Sequence, residues 1–346
     1  MTESRKPTLR DVARLVGVSE QTVSNVLNNR PNVRPEMRER VLKGAVALNY
    51  RVNKLARSLK TSQSTLIALI FPSVTNPIYA EAADVVSRAA MRRGYSIVLA
   101  NSGREPRIET QLVETALDHR VAGILLSSID PTGGSGRRAV AGDVPCIQLL
   151  NRDPVWTGEY FGANNVLGAR DAVAWLIAQG HRKIGHLRGL VSFVAEERLR
   201  GHRDALTGAG LAYDPTLVAP GQFSRAGGGE ACAVLLDRHP DMTALFCASD
   251  LMAYGALDEL SRRGLSAPKD LSVVGFDDTS FSSLAAISLT TVQFDIEGLA
   301  SAAVDRLIAR IEDRVPAGAE PVTEIFECRL VQRGSTAPPS SPRRMD

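Results

Sequence analysis

With 346 residues and 44% hydrophobic content, the chain can bury large cores and has the length of two or three domains. Of its 41 Lys and Arg and 38 Asp and Glu, the first sixty residues hold 13 and 5 and the remainder 28 and 33, so a basic headpiece precedes a mildly acidic body. This pattern suits a protein whose first part meets phosphates, and apolar runs as short as Leu66 to Phe71 exclude a membrane span.

In chain order, the first motif is LRDVARLVGVSEQTVSNVLN, from Leu9 to Asn28. Thr8 and Asp11 have capping-box spacing, and Val12, Leu15 and Val16 repeat as on one face of a helix. Gly17 marks a sharp turn. Ser19 can cap a second helix whose Val23, Val26 and Leu27 face the first, leaving Glu20, Gln21, Ser24 and Asn25 outward. The plain alternative is a helical hairpin without a ligand. The spacing of Ala13, Gly17 and Val23, the exposed amides and the basic surroundings favour a helix-turn-helix that reads DNA. Thr8, Ser19, Glu20, Gln21, Thr22, Ser24, Asn25, Asn28 and Arg34 are the expected DNA-facing residues. Pro35 suits the first turn of a third helix running to about Leu48, with Val41, Leu42, Ala45 and Leu48 inward, which closes a headpiece over 1–50.

Residues 51–64 are polar and basic, with Asn53 placed as a cap and Leu55 and Leu59 four apart. A helix this short does not persist alone in water, so its folding is expected to depend on DNA or on a second subunit. Asn53, Leu55, Ala56, Arg57, Leu59 and Lys60 join the expected DNA contacts.

From Thr65 the chain alternates β-rich runs with amphipathic helices. Strands are expected at 66–71, 96–100, 122–127, 146–150, 183–187, 244–248 and 271–276, with helices at 78–92, 108–119, 167–179, 196–209, 226–238 and 251–263. This alternation predicts doubly wound parallel sheets in two lobes: 65–161 with 292–322, and 162–291 with 323–333, before a disordered tail over 334–346. Ligands of such folds sit beyond the carboxyl ends of strands, here near Asn76, Asn151, Ser249 and Asp277.

No catalytic signature stands out. GHRKIGH is not H-E-x-x-H, Gly227 to Gly229 lacks a Walker lysine, and Asp277-Asp278 lacks a nucleophile or metal partner, so no enzyme activity, cofactor or metal is expected. Cys146, Cys232, Cys247 and Cys328 show no C-x-x-C pair and are expected to be free thiols. The polar N-terminus has no apolar signal region, and a cytoplasmic location is expected.

TLRDVARLVGVSEQTVSNVLN and LNYRVNKLARSLKT closely resemble the headpiece and hinge of bacterial regulators of the lactose- and purine-repressor (LacI/GalR) family. GHRKIGHLRG, ERLRGHRDAL, ASDLMAYGAL, LSVVGFDD and LTTVQFD resemble that family's sensor, which is related to periplasmic sugar-binding proteins. The resemblance implies an all-α helix-turn-helix headpiece on an α/β two-lobed, periplasmic-binding-protein-like sensor. It further implies a homodimer on a near-palindromic operator, with Leu59 wedged into the minor groove and Leu55 packed on its mate. Matched position by position, Arg198 holds the effector, Asp277 is its acidic ligand and Phe223 stacks on it, while Asn76, Tyr79, Phe161 and Ser249 line the same cleft. Asn25 departs from the arginine of many relatives, Arg34 from the usual Ser or Thr cap, and Asn164 from a common aspartate. Ser192 and Val194 stand where purine-type members carry polar ligands, which favours a sugar over a purine. The expected function is a sugar-responsive repressor; a purine-dependent regulator and an activator are the alternatives. A periplasmic binding protein would need a signal peptide and has no use for residues 1–60.

Overall fold

The computed structural model describes residues 7–27, 31, 33–50, 64–316 and 318–339. The chain divides into a unit at 1–64 and a unit at 65–346. Asn28, Asn53, Leu55, Ala56, Arg57, Leu59 and Lys60, with most of the expected hinge, lie outside the described residues.

Among its described residues the first unit has the helices α1 (Leu9–Val16), α2 (Glu20–Leu27) and α3 (Pro35–Ala47). Thr8 and Asp11 form the capping box reciprocally, and Gly17 closes α1 in the left-handed conformation at φ 72°. Val12, Ala13, Val23, Val26, Val41 and Ala45 make the core. Gly44 permits the close crossing of α3 over α1, since a Cβ there would lie 2.4 Å from Val16 Cγ2. Leu15 and Leu42, expected inward, are instead 56% and 46% exposed. The short helices turn only one narrow stripe inward, and both leucines fall at its edge.

The second unit carries two parallel sheets. The larger has the order β11-β5-β4-β3-β1-β2, from β1 (Leu66–Phe71), β2 (Ser96–Asn101), β3 (Gly123–Leu126), β4 (Cys146–Leu149), β5 (Tyr160–Ala163) and β11 (Thr323–Phe326). The smaller has the order β7-β6-β8-β9, from β6 (Ile184–Arg188), β7 (Val218–Pro220), β8 (Ala244–Cys247) and β9 (Ser272–Val274). An antiparallel ribbon of β10 (Thr291–Phe294) and β12 (Cys328–Val331) joins the lobes. The helices in chain order are α4 (Pro77–Arg92), α5 (Pro106–Asp118), α6 (Gly134–Ala141), α7 (Asn165–Ala178), α8 (Phe193–Gly208), α9 (Arg225–Arg238), α10 (Asp250–Arg262) and α11 (Ile296–Ile311). The all-apolar strands β1 and β3 are buried because helices cover both faces of the sheet.

Three expectations need correction. Strand β11 belongs to the first lobe, pairing Thr323 to Phe326 with Tyr160 to Ala163, so the final crossing follows Phe326 and the first follows Ala163. These strands are only four residues long, too short for a period-2 signal to place. The stretch 334–339 is not a free tail: Ser335 Oγ donates to the Val273 carbonyl at 2.6 Å, Val273 N donates to the Ser335 carbonyl at 2.9 Å, and the Ala337 carbonyl accepts from Ser272 Oγ at 2.9 Å. Backbone pairing along β9 holds a segment that lacks side-chain periodicity. Helix α11 was not among the expected elements, although Asp295 caps it and Leu299, Ala303, Val304, Leu307 and Ile308 form its buried stripe.

Candidate nucleic-acid interface and ligand cleft

On the headpiece, Ser19 caps α2 by accepting from Thr22 N at 3.1 Å. Glu20 pairs with Arg10 at 2.9 Å, and Gln21 Nε2 donates to Asn25 Oδ1 at 3.0 Å, so the two amides lie side by side on the accessible face of α2. Ser24 and Asn25 are half-buried beside them. Arg34 precedes α3, where its donor-only guanidinium cannot cap the helix, and it is exposed.

In the second unit a cleft opens between the lobes at the carboxyl ends of their strands. Asn76, Tyr79, Arg198, Phe223 and Asp277 line it as expected. Asn76 caps α4, and burial pushes the Tyr79 phenol up to about 12. Arg198 is 5% exposed and is held through its Nε and Nη1. Its Nε donates to Asn165 Oδ1 at 2.9 Å, its Nη1 donates to the Ala248 carbonyl at 2.5 Å and to Asp277 Oδ1 at 3.2 Å, and its guanidinium stacks 3.6 Å from the Phe276 ring centroid. Burial pushes the Asp277 carboxyl up to about 6, with Arg198 pulling it back.

Asp277 sits at φ 117° and Asp278 at φ 50°, a backbone that L-residues rarely adopt. The neighbours hold it there. Asp277 N donates to the Val292 carbonyl at 2.8 Å, Asp250 N donates to the Phe276 carbonyl at 2.7 Å, Thr279 N donates to Asp250 Oδ2 at 2.9 Å, and Asp278 pairs with Arg333 at 2.7 Å. Phe223 is likewise at φ 51°, with its ring against Gly189, where a Cβ would lie 1.9 Å from Phe223 Cε2.

Two expected residues fall outside the lining. Phe161 is 2% exposed within the core at β5, and the Ser249 hydroxyl is spent capping α10, accepting from Met252 N. Alternation sends Phe161 inward, while a serine ahead of a helix caps it. Arg104 and Asn165 line the cleft without having been expected, and Asn151 lines it at a strand end where a ligand was expected. Asn151 had a usable signal in its position after β4, where its Oδ1 accepts from Val194 N of the other lobe at 3.2 Å. Arg104 had none, since it comes from a loop without pattern.

Among the described residues no group of three or more His, Cys, Asp or Glu could hold a metal, and no helix is long and apolar enough to cross a membrane.

Residues 8–53 match the model of the bacterial regulatory proteins of the lacI family, and 173–336 match a periplasmic binding protein-like domain. The chain is 32% identical to the HTH-type transcriptional regulator GalR of Escherichia coli over 96% of each chain, and 35% identical to the HTH-type transcriptional regulator CelR of Thermobifida fusca over 97% of this chain and 100% of that protein. It belongs to the LacI family. A lac repressor dimer bound to operator and the anti-inducer ONPF superposes with a TM-score of 0.84 at 30% identity, covering 96% of this chain and 100% of that one. A CelR–cellobiose complex superposes with a TM-score of 0.71 at 33% identity, covering 95% and 99%. This LacI-family chain is thus a DNA-binding transcription regulator, with the helix-turn-helix in its first unit and the two-lobed sensor in its second.

Proposed function

We propose that this regulator is a repressor whose operator affinity is set by a carbohydrate bound between the sensor lobes. The observation that carries the reading is the buried set of Arg198, Asp277 and Asn165 beside the Phe223 ring. Forked donors and a carboxylate suit paired hydroxyls, and an aromatic face suits the apolar side of a sugar ring. Similar regulators bind sugars: CelR was solved with cellobiose, and an Enterococcus faecium regulator, 23% identical, with ribose.

The reading includes a cytoplasmic homodimer on a near-palindromic operator. Edge strand β2 exposes Val98 and Leu99 at 47% and 46%, the kind of edge that a second copy covers. Gln21 and Asn25 would read bases, with the capped ends of α1 and α2 near phosphates and the hinge leucines in the minor groove.

The test begins with a thermal-shift screen of the full chain against sugars, sugar acids, sugar phosphates and nucleobases, followed by operator affinity with and without the hit. Arg198→Ala is expected to keep wild-type operator affinity without effector and to lose the response. By reciprocity the effector binds operator-bound protein more weakly by the same factor that it weakens operator binding. An unchanged response in the variant would move the effector out of this cleft.

A further inference from the structure

Among the described residues two guanidinium groups line the cleft, and one of them is paired with a carboxylate. Arg198 is answered by Asp277 at 3.2 Å. Arg104 reaches in from the loop after β2 and makes one side-chain hydrogen bond among the described residues, from Nη2 to the Phe223 carbonyl at 2.8 Å. No acid pairs with it among the described residues. It is half-buried, and burial lowers the pKa of its guanidinium, the direction expected of a cation short of compensation.

The approach of Arg104 is built into the backbone. Gly103 and Arg104 both take left-handed conformations, at φ 63° and 67°. An arginine in that region costs about 1 kcal/mol or more, and such strain concentrates where a side chain is aimed for use. The surroundings favour an anion further: Asn76 and Ser192, caps of α4 and α8, both line the cleft, so two helix N-termini face it. Among the charged lining residues, Arg104 and Arg198 stand against Asp277 alone. A neutral sugar would leave that excess cation uncompensated.

We propose that the effector is an anionic polyol, bearing a carboxylate or a phosphate, and that Arg104 selects for the anionic group. The inference rests on the carbohydrate reading of the cleft and sharpens it. Arg198, Asp277 and Phe223 hold the polyol, and Arg104 turns its free N–H groups to the charged end. Arg104 already ties its own lobe to the Phe223 carbonyl of the other, so the charged end sits where closure is read out.

The test is calorimetric titration of the full chain with D-gluconate, D-glucuronate and D-glucose 6-phosphate, beside D-glucose, D-galactose and cellobiose. A member of the acidic set is expected to bind at least about tenfold more tightly than the best neutral sugar, with the carboxylate and phosphate arms showing which group is read. Arg104→Gln is expected to lower acid affinity at least about tenfold more than neutral-sugar affinity, removing most of that preference; Arg104→Lys should restore part of it, and added salt should weaken it. The wild-type preference alone decides the matter should a variant fold poorly. Neutral sugars binding as tightly as acids, or Arg104→Gln weakening both alike, would overturn the anionic effector and leave the carbohydrate reading standing. Binding by none of the six, with no carbohydrate raising the melting temperature in the thermal-shift screen, would overturn both.

Discussion

At the scale of single residues, the cleft depends on small groups that make room for larger ones. Gly189 is a case: any side chain there collides with the Phe223 ring. Gly189→Ala is expected to displace the ring and weaken effector binding by about tenfold or more, at a cost in stability of about 1–3 kcal/mol. Titration alongside thermal melting separates the two, and unchanged affinity would remove Phe223 from the ligand. On the headpiece, Asn25→Ala is expected to relax preference at one or two symmetric base positions, by about 1–3 kcal/mol per lost pair. Equal losses on operator and scrambled DNA would make Asn25 a phosphate contact. Residues in motifs could be singled out: Arg198 and Asp277 stand in runs, ERLRGHRDAL and LSVVGFDD, that resemble the family's sensor, and the structure joins them across 79 positions of sequence. Arg104 could not be, because its role comes from a loop path that two left-handed residues set.

Among the elements, the headpiece helices were readable because each has local chemistry at its ends. Thr8→Ala removes the acceptor for Asp11 N and half the capping box, and is expected to cost about 1 kcal/mol in chemical denaturation. The sensor helices other than α6 and α11 were equally visible, whereas β5, β7 and β10 to β12, at three or four residues each, take their strand character from neighbours that sequence does not display. Helix pairing shows how composition becomes geometry. A Cβ on Gly255 would meet the Arg225 carbonyl of α9 at 1.9 Å, and one on Gly228 the Met252 carbonyl of α10 at 2.3 Å, so these helices touch backbone to backbone. Gly255→Ala is expected to destabilise the second lobe by about 1–3 kcal/mol. Gly208, also helical, has nothing within 4 Å of its would-be Cβ, and Gly208→Ala is expected to stabilise by about 0.5–1 kcal/mol. A common sign for both in denaturant melts would refute the packing account.

For the sensor as a whole, a buried histidine pair is expected to cost stability on acidification, beside ion-paired carboxylates such as Glu259. His186 and His202 stack at 5.1 Å beside Phe246, each bonded to one carbonyl through one ring nitrogen. Burial pushes His202 down to about 4 and His186 well below the usual imidazole range. Each is therefore neutral when folded, and the unfolded chain takes up protons first. The stability held above about pH 6.5 is lost as pH falls towards 4, up to about 3 kcal/mol for His202. Carboxyls raised by burial, such as Asp277, act in the opposite sense and gain stability on acidification. His202→Leu has no proton to take up and is expected to flatten the fall in melting temperature between pH 6.5 and 4.5. A slope equal to wild type would place the acid sensitivity elsewhere.

The interleaved lobes also bear on how the chain is made. The first lobe takes its edge strand from Thr323 to Phe326 and a covering helix from Ile296 to Ile311, while the second is sealed by Ser335 and Ala337. A ribosome working from the N-terminus thus releases a complete helix-turn-helix long before either lobe can close. Premature stops across most of the sensor should leave a foldable headpiece on a body without its closing strands. Without closed lobes such fragments lack the surface through which the proposed homodimer forms, so each would meet DNA as a weakly binding single headpiece, and a truncating allele is expected to be recessive to the intact one in a merodiploid cell.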